Sequence, residues 1–340
     1  MSGSPGATPP AIVALGASAG GVEALQRTIE GLPAALPAAL CVVLHIPATT
    51  RSILAEILAR KTALAVSQAV DGEEIQPGHV YVAPADHHLV VSEGRLVLDR
   101  GPKENGTRPA IDPLFRSVAA ACGPRCAAVV LSGALADGAA GAAAVAASGG
   151  VVLVQDPADA AVPSMPEAAL LAVPDARIGA AAELGEMIAD VVPELTSEDR
   201  HHRKEDPVAT DSSRPSARSR TRPEGPPSTL TCPECSGPLW EESANGVTRF
   251  RCRVGHAYTE AVLVEAKGGE VEAALWAAVE ALEEHAELLR KVASRLADKG
   301  VQPTPSSLRR RADVAAEQAE VLRGVLAAAA DQPAAAPEPA

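Results

Sequence analysis

The stretch from Ala11 to Val22, AIVALGASAGGV, constrains this chain more than any other. Its first five residues are apolar and include β-branched types, the pattern of a buried strand. Gly16, Gly20 and Gly21 then permit a sharp turn, and Val22, Leu25 and Ile29 recur at helical spacing. The segment therefore reads as strand, tight turn and helix, with Ser18 at the tip. A side chain there leaves the end of a sheet and faces the positive end of a helix. That setting suits a nucleophile whose intermediate carries an oxyanion. A phosphate cradle is the rival reading of such a turn. Against it, Ser18 occupies the second glycine position of G-x-G-x-x-G, and no Lys-Ser/Thr pair follows as in a P-loop.

A serine hydroxyl needs a base to attack at neutral pH. Residues 40–47, LCVVLHIP, form a second apolar strand with His45 at its carboxyl end, and residues 127–138, AAVVLSGALADG, form a third, followed by a turn carrying Asp137. In an open parallel sheet the carboxyl ends of strands share one edge, where sites form. Ser18, His45 and Asp137 are thus candidates for a hydrolytic triad, whose chain order differs between folds. The two partners favour hydrolysis over phosphate binding. Backbone N–H groups of Ala19 and Gly20 are candidate oxyanion donors, with a second source at Ala134.

The same residues carry a family resemblance. GASAGG at 16–21, LHIP at 44–47, PGHVYVAP at 77–84, IDPLF at 111–115, LSGALADG at 131–138 and PSMP at 163–166 occur in that order. Together they resemble the catalytic domain of CheB-type chemotaxis protein-glutamate methylesterases, from about residue 10 to about 193. The resemblance implies hydrolysis of glutamate methyl esters on methyl-accepting chemotaxis receptors, with deamidation of receptor glutamines as a second activity of many members. It also implies functional opposition to a receptor methyltransferase. In the family the residues matching Ala19 and Ala134 are often threonine and methionine, so at these alanines only backbone help is expected. Well-known members carry an N-terminal receiver domain. Only ten residues precede the first strand here, and control by such a domain is not expected.

Residues 11–193 alternate strand and helix signals. They predict parallel strands at 11–16, 40–45, 64–68, 127–131 and 151–155, and short strands at 79–83, 88–92 and 95–98, the last two joined by a hairpin turn at Glu93-Gly94. Helices are expected at 21–31, 51–60, 112–121, 139–147, 165–172 and 181–191. The fold class is α/β: a three-layer, mostly parallel sheet with helices on both faces and an antiparallel excursion. A small zinc-knuckle module and a C-terminal α-helical hairpin are appended to it. A net charge of -13 argues against nucleic-acid binding through phosphates. No apolar run reaches the roughly 18 residues of a membrane span, and no signal-peptide pattern opens the chain. A cytoplasmic protein without membrane insertion is expected.

The remaining segments are a tail at 1–10, a linker at 194–229, the module at 230–258, helices at 259–331 and a tail at 332–340. The linker is charged and then rich in Ser, Pro and Arg, which cannot bury enough apolar surface to fold alone. Its arginines 214, 218, 220 and 222 read as a solvated tether rather than a site for an acidic partner. Cys232 and Cys235 are spaced C-x2-C, sixteen residues precede Cys252, and His256 follows at C-x3-H. Two such knuckles supply four ligands for a structural Zn2+. Beyond them, Leu275, Val279, Leu282, Ala286, Leu289, Ala293 and Leu296 step by four and three, and Leu308, Ala312, Ala315, Ala319, Leu322 and Leu326 repeat the seam after a break at 300–305. An antiparallel helical hairpin or coiled coil follows, with self-association or a partner's helix as alternatives.

Other polar residues have structural readings. His79, His87 and His88 are expected at the surface or in the hairpin. Asp112 before Pro113 fits a helix N-cap. Asp156-Pro157 marks a turn, with Asp159 nearby. Cys41, Cys122 and Cys126 read as plain thiols. The functional alternative to an esterase is a non-catalytic signalling adaptor that binds through the zinc module and hairpin. Presence of all three triad residues favours the enzyme.

Overall fold

The computed structural model describes residues 10–50, 52–197, 223, 225–296 and 304–330. The tail expected before residue 10, the linker arginines 214–222, most of the 300–305 break and the C-terminal tail lie outside them. The described chain divides into two compact units, one up to Leu263 and one from Val264, each taken by itself below.

In the first unit, β1 (Ala11–Ala17), α1 (Gly21–Glu30), β2 (Ala38–Leu44), α2 (Leu54–Leu58), β3 (Ala65–Gln68) and β4 (His79–Val82) come first. The hairpin β5 (His88–Ser92) and β6 (Arg95–Asp99) follows, then α3 (Ile111–Cys122), β7 (Cys126–Val130), α4 (Ala139–Ala147), β8 (Val151–Gln155), α5 (Ser164–Ala172), β9 (Arg177–Gly179) and α6 (Ala181–Thr196). The main sheet runs β3-β4-β2-β1-β7-β8-β9, with every pairing parallel.

Alternation along β1 sorts the two faces. Ile12 and Ala14 join Phe115, Val118 and Met165 under α3, α4 and α5. Val13 and Leu15 join Leu25, Leu58 and Ile188 under α1, α2 and α6. Both sheet faces are therefore dry, which is why the central strands read as continuous apolar runs. The short strand expected at 79–83 belongs to this parallel sheet, because its Val80 and Val82 pack into the same core. Only β5 and β6 form the antiparallel excursion. The strand β9 was not anticipated: it has three residues, of which Arg177 and Ile178 are exposed. The helix expected over 51–60 is reduced to α2, whereas α6 runs on through Pro193 to Thr196.

Still within the first unit, β10 (Pro227–Thr231), β11 (Pro238–Ala244), β12 (Val247–Cys252) and β13 (Ala257–Thr259) form a four-stranded antiparallel sheet. Its core holds only Cys232, Leu239, Cys252, Tyr258, Val262 and Leu263, with Leu135 packed against it. The long helix α7 (Glu260–Arg295) leads into the second unit, where α8 (Pro305–Ala330) returns along it. Each residue of the two expected seams is found in the contacts between α7 and α8, with Ala293 beside Leu308 in one cluster and Val279 beside Leu326 in the other. That order makes the pair antiparallel, and Glu283–Arg323 and Arg290–Asp313 ion pairs lie across it.

The first turn depends on two glycines. Gly20 has φ +72, the left-handed region that glycine enters without strain, and it opens α1. Gly16 faces Ile111 so closely that a Cβ would overlap the isoleucine side chain. This contact brings the start of α3 down onto the end of β1. Gly16→Ala should therefore lower stability by about 1–3 kcal/mol through overpacking, seen as a lower urea midpoint with an unchanged slope.

Candidate active site and the Cys/His cluster

Ser18, His45 and Asp137 meet at the carboxyl edge of the main sheet. Ser18 follows β1 and His45 follows β2, two strands paired residue by residue up to Ala17 and Leu44. The register continues past the strands, since the His45 backbone N–H donates to Ala17 O at 3.2 Å. Asp137 lies in the turn between β7 and α4. The His45 ring bridges the other two: Nδ1 is 3.1 Å from Ser18 Oγ and Nε2 is 2.7 Å from Asp137 Oδ2. With its proton on Nε2, the ring donates to Asp137 and leaves Nδ1 to accept from the serine. The two ring nitrogens are thus used in the opposite sense to the chymotrypsin arrangement.

The Asp137 carboxylate is almost fully buried, at 2% exposure, and it is well supplied with donors. Oδ2 accepts from the Ile111 N–H at 2.7 Å. Oδ1 accepts from the N–H groups of Asp112 at 3.1 Å and Gly138 at 2.9 Å, and from the Asn105 side-chain amide at 2.9 Å. Two of these N–H groups belong to the first turn of α3, which is the positive end of its dipole. Burial works against the charge, but the His45 hydrogen bond and charge, the Ile111 N–H and Asn105 outweigh it, and the carboxyl stays below its usual range.

Asp112 is not the helix cap expected of it. Residue Ala110 occupies the N-cap, and Asp112 sits within the first turn, fully buried. Its oxygens accept from the Gly141 N–H at 2.6 Å and from Asn105 Nδ2 at 3.1 Å. Burial first and the Asp137 charge second push it up to about 6. The neighbouring carboxyls are thus driven apart, and Asp112 takes a proton before Asp137 does as pH falls. Asn105 spans them both. Sequence reasoning missed it, because Asn105-Gly106 reads only as a turn signal.

Among the other polar residues, His79 and His88 are less exposed than expected, whereas Asp156 and the three cysteines of the first half are as expected. His88 is buried; its Nε2 lies 3.0 Å from Pro102 O, and its Nδ1 accepts from the Ala110 N–H. His79 stacks on Tyr81 and bonds Ser67, so it is a half-buried packing residue. Arg108 pairs with Asp86. Asp156 accepts from the Ala158 N–H, as a turn residue does, and Asp159 ties together Arg27, Gln155 and the start of α6. Cys41, Cys122 and Cys126 are buried and outside any disulfide; burial raises the first thiol, and pushes Cys122 up to about 11.

Around Ser18, the N–H groups of Ala19, Gly20 and Ala134 have no hydrogen-bond partner among the described residues. By contrast the neighbouring Ser18, Gly133 and Leu135 N–H groups are engaged. Ala19 and Ala134 are both exposed.

Cys232, Cys235, Cys252 and His256 each point one ligand atom inward, all within 4.8 Å of one another. Sγ of Cys235 and Cys252 are 3.7 Å apart, and His256 Nδ1 is 3.6 Å from Cys232 Sγ and 3.5 Å from Cys252 Sγ. Edges of about 3.5–3.8 Å are what a tetrahedron with metal–sulfur bonds near 2.3 Å and a metal–nitrogen bond near 2.1 Å requires. Burial opposes a thiolate at Cys232, yet the Cys235 N–H, the Tyr258 hydroxyl and the Glu234 N–H hold it below the usual thiol range. The cluster can hold a metal ion.

Comparison with known proteins gives the family of the larger domain. The family described as CheB methylesterase matches residues 13–188, about half of the chain. The chain belongs to the CheB methylesterase family. Protein-glutamate methylesterase/protein-glutamine glutaminase 1 of Xanthomonas euvesicatoria pv. vesicatoria is 42% identical over 177 residues, which cover 51% of this chain and 48% of that protein. The protein of the same name from Paramagnetospirillum magneticum is 44% identical over 169 residues, covering 48% and 44%. The crystal structure of the Thermotoga maritima CheB methylesterase catalytic domain superposes with a TM-score of 0.51 at 34% identity, covering 53% of this chain and 98% of that one. The chain spans about half the length of the curated relatives it matches. Ser18, His45 and Asp137 all fall inside the CheB methylesterase match, and the Cys/His cluster falls beyond it.

The raised Asp112 has a stability consequence. Its favourable contribution is fully present below the unfolded carboxyl value near 4 and is lost as pH rises through about 6. Asp112→Asn should therefore gain stability relative to the wild type between pH 4 and pH 7, measured as urea midpoints of the two proteins at each pH.

Proposed function

We propose that this protein is a serine hydrolase that removes methyl groups from glutamate methyl esters on methyl-accepting chemotaxis receptors. The observation that carries the reading is the continuous hydrogen-bonded line from Ser18 Oγ through the His45 ring to Asp137. His45 Nδ1 takes the serine proton as Oγ attacks the ester carbonyl. The ionised Asp137 fixes the ring through Nε2 and stabilises its protonated form. Unpartnered N–H groups at Ala19, Gly20 and Ala134 are the donors that would receive the oxyanion; they act through the backbone, so the alanine side chains do not impair them. Protonated His45 then gives its proton to the methoxide, and methanol leaves. Water attacks the acyl-enzyme with His45 again as base, and a carboxylate is released. The same steps with ammonia as leaving group hydrolyse a glutamine side chain, in line with the double name carried by the relatives.

Among the described residues no helix is long and apolar enough to cross a membrane. A cytoplasmic enzyme, reaching the cytoplasmic helices of receptors and opposed by a methyltransferase, is consistent with that. We assign the Cys/His cluster to Zn2+, held by Cys232, Cys235, Cys252 and His256. When bound, the ion supplies a structural cross-link, because four protein ligands leave no open coordination position. The surrounding core of six buried residues is too small to hold the module together alone.

Methanol release from a methylated receptor tests the esterase reading. Ser18→Ala should abolish release, and Asp137→Asn should lower kcat by about 10^4 because a neutral amide favours the wrong ring tautomer and does not stabilise the imidazolium. Equal release by the wild type and Ser18→Ala would remove Ser18 as the nucleophile. For the metal, elemental analysis of the purified full chain should find one zinc per molecule, and Cys235→Ser should lose it.

A further inference from the structure

The Cys/His module and the triad share a short segment of chain. Residues 102 to 105 each touch the module or a residue packed beside the site, and Asn105 bonds both the module and Asp137. Pro102 lies under Gly255, inside the second knuckle, and its carbonyl meets His88. Lys103 pairs with Glu234, inside the first knuckle, at 3.1 Å. The half-buried Glu104 carboxylate sits between Arg116 of α3 at 2.7 Å and Arg249 of β12 at 3.2 Å. Burial opposes that charge, but the surrounding arginines hold it ionised, well below its ordinary range. Asn105 closes the connection. Its N–H donates to Ala257 O at 2.8 Å, its Oδ1 accepts from the Thr259 N–H at 2.9 Å, and its Nδ2 reaches Asp137 and Asp112. Ala257 directly follows the ligand His256.

Two strained residues mark the places where the module bears on the site. Asn105 has φ +50 and Leu135 has φ +67, positions that cost a non-glycine residue roughly 1–3 kcal/mol unless neighbours enforce them. Asn105 is enforced by β13. Leu135 lies between Ala134 and Asp137 and packs on the module core of Cys232, Leu239, Cys252 and Tyr258. Module contacts therefore hold both the amide that grips the triad carboxylate and the turn that presents it.

We infer that the Cys/His module is a positioning device for the active site: through the 102–105 strap and Leu135 it sets the Asp137 carboxylate, and the triad is fully aligned only while the module is folded and docked. Asn105 acts through Asp137 and is a positioning residue. The inference rests on the triad reading above and adds that loss of the metal loosens the catalytic edge 102–112 without unfolding the sheet.

The test uses the full chain and a fluorophosphonate ester. Ser18 Oγ forms a bond to phosphorus, fluoride leaves from the P–F bond, and the serine proton passes to His45. Saturation labelling separates the maximal rate from the half-saturating concentration. Wild type, wild type stripped by a zinc chelator, Arg249→Ala and Arg249→Lys are compared, with hydrogen exchange followed in each. Chelation and Arg249→Ala should lower the maximal rate about ten- to a hundredfold, the scale of a small misplacement of a catalytic group, with the half-saturating concentration unchanged. Exchange at the Asn105, Ile111 and Asp112 amides should quicken, while β1 and β2 stay protected. Arg249→Lys keeps a cation opposite Glu104 and should restore the rate to within about threefold of wild type. Unchanged labelling and unchanged exchange at 105–112, with the knuckle amides exposed by chelation, would overturn the inference. Should Arg249→Ala lose protection in β1 and β2, the chelated wild type decides alone. Labelling that survives Ser18→Ala would instead refute the triad reading, and exchange at 105–112 would still decide whether the module governs that edge.

Discussion

A buried negative charge at Asp137 is the constraint around which the rest of the catalytic unit is arranged. An ionised carboxylate at 2% exposure survives only with charge-assisted partners on every side. Here the first turn of α3, the Gly138 N–H, the Asn105 amide and the His45 ring supply them. Each partner brings a requirement of its own. The end of α3 reaches Asp137 because Gly16 has no side chain to hold Ile111 away. The ring reaches it because β2 ends beside β1. Asp112, a second carboxyl in the same pocket, is tolerated because it is pushed toward the protonated state and is itself bonded to Gly141 and Asn105. Loss of any one of these would leave the charge short of a donor, which costs more than the bond itself was worth.

Small side chains are what let these parts approach. Aromatics are only 2% of the chain, and α4 is built from alanine, glycine and one valine. Its backbone comes near enough to α3 for Gly141 to donate to Asp112, which a helix clothed in large residues could not do. The module solves a different problem. It has too little apolar surface for a core of its own, and Leu135 of the catalytic domain completes its cluster. The C-terminal hairpin is simpler still, a seam of leucine and alanine closed by its own second helix.

The sequence made the parallel core legible because strands buried on both faces leave uninterrupted apolar runs, as at residues 38–44 and 126–130. The hairpin was legible from its seam, and the ligand cluster from its spacing. What escaped notice had weaker local signals. Strand β9 pairs along three residues with two of them in solvent, so no run marks it. His88 and Asn105 are polar and lie near turns, and their burial comes entirely from partners far along the chain. Asp112 carried a local explanation, a helix cap, that competed with the true one. Its bonds to Gly141 and Asn105 depend on how α3 meets α4 and how the 102–105 segment crosses them, and no spacing rule encodes that.

The backbone link between His45 and Ala17 has a broader meaning. Ser18 and His45 stand side by side because adjacent strands in any sheet are about 4.8 Å apart. Their separation is a lattice constant of the fold and owes nothing to the path of the chain between the end of α1 and the start of β2. Length changes or even a break in that crossover leave the pair facing each other, so long as the two strands stay zipped. The loop between α1 and β2 can be rebuilt without moving the Ser18 and His45 side chains apart.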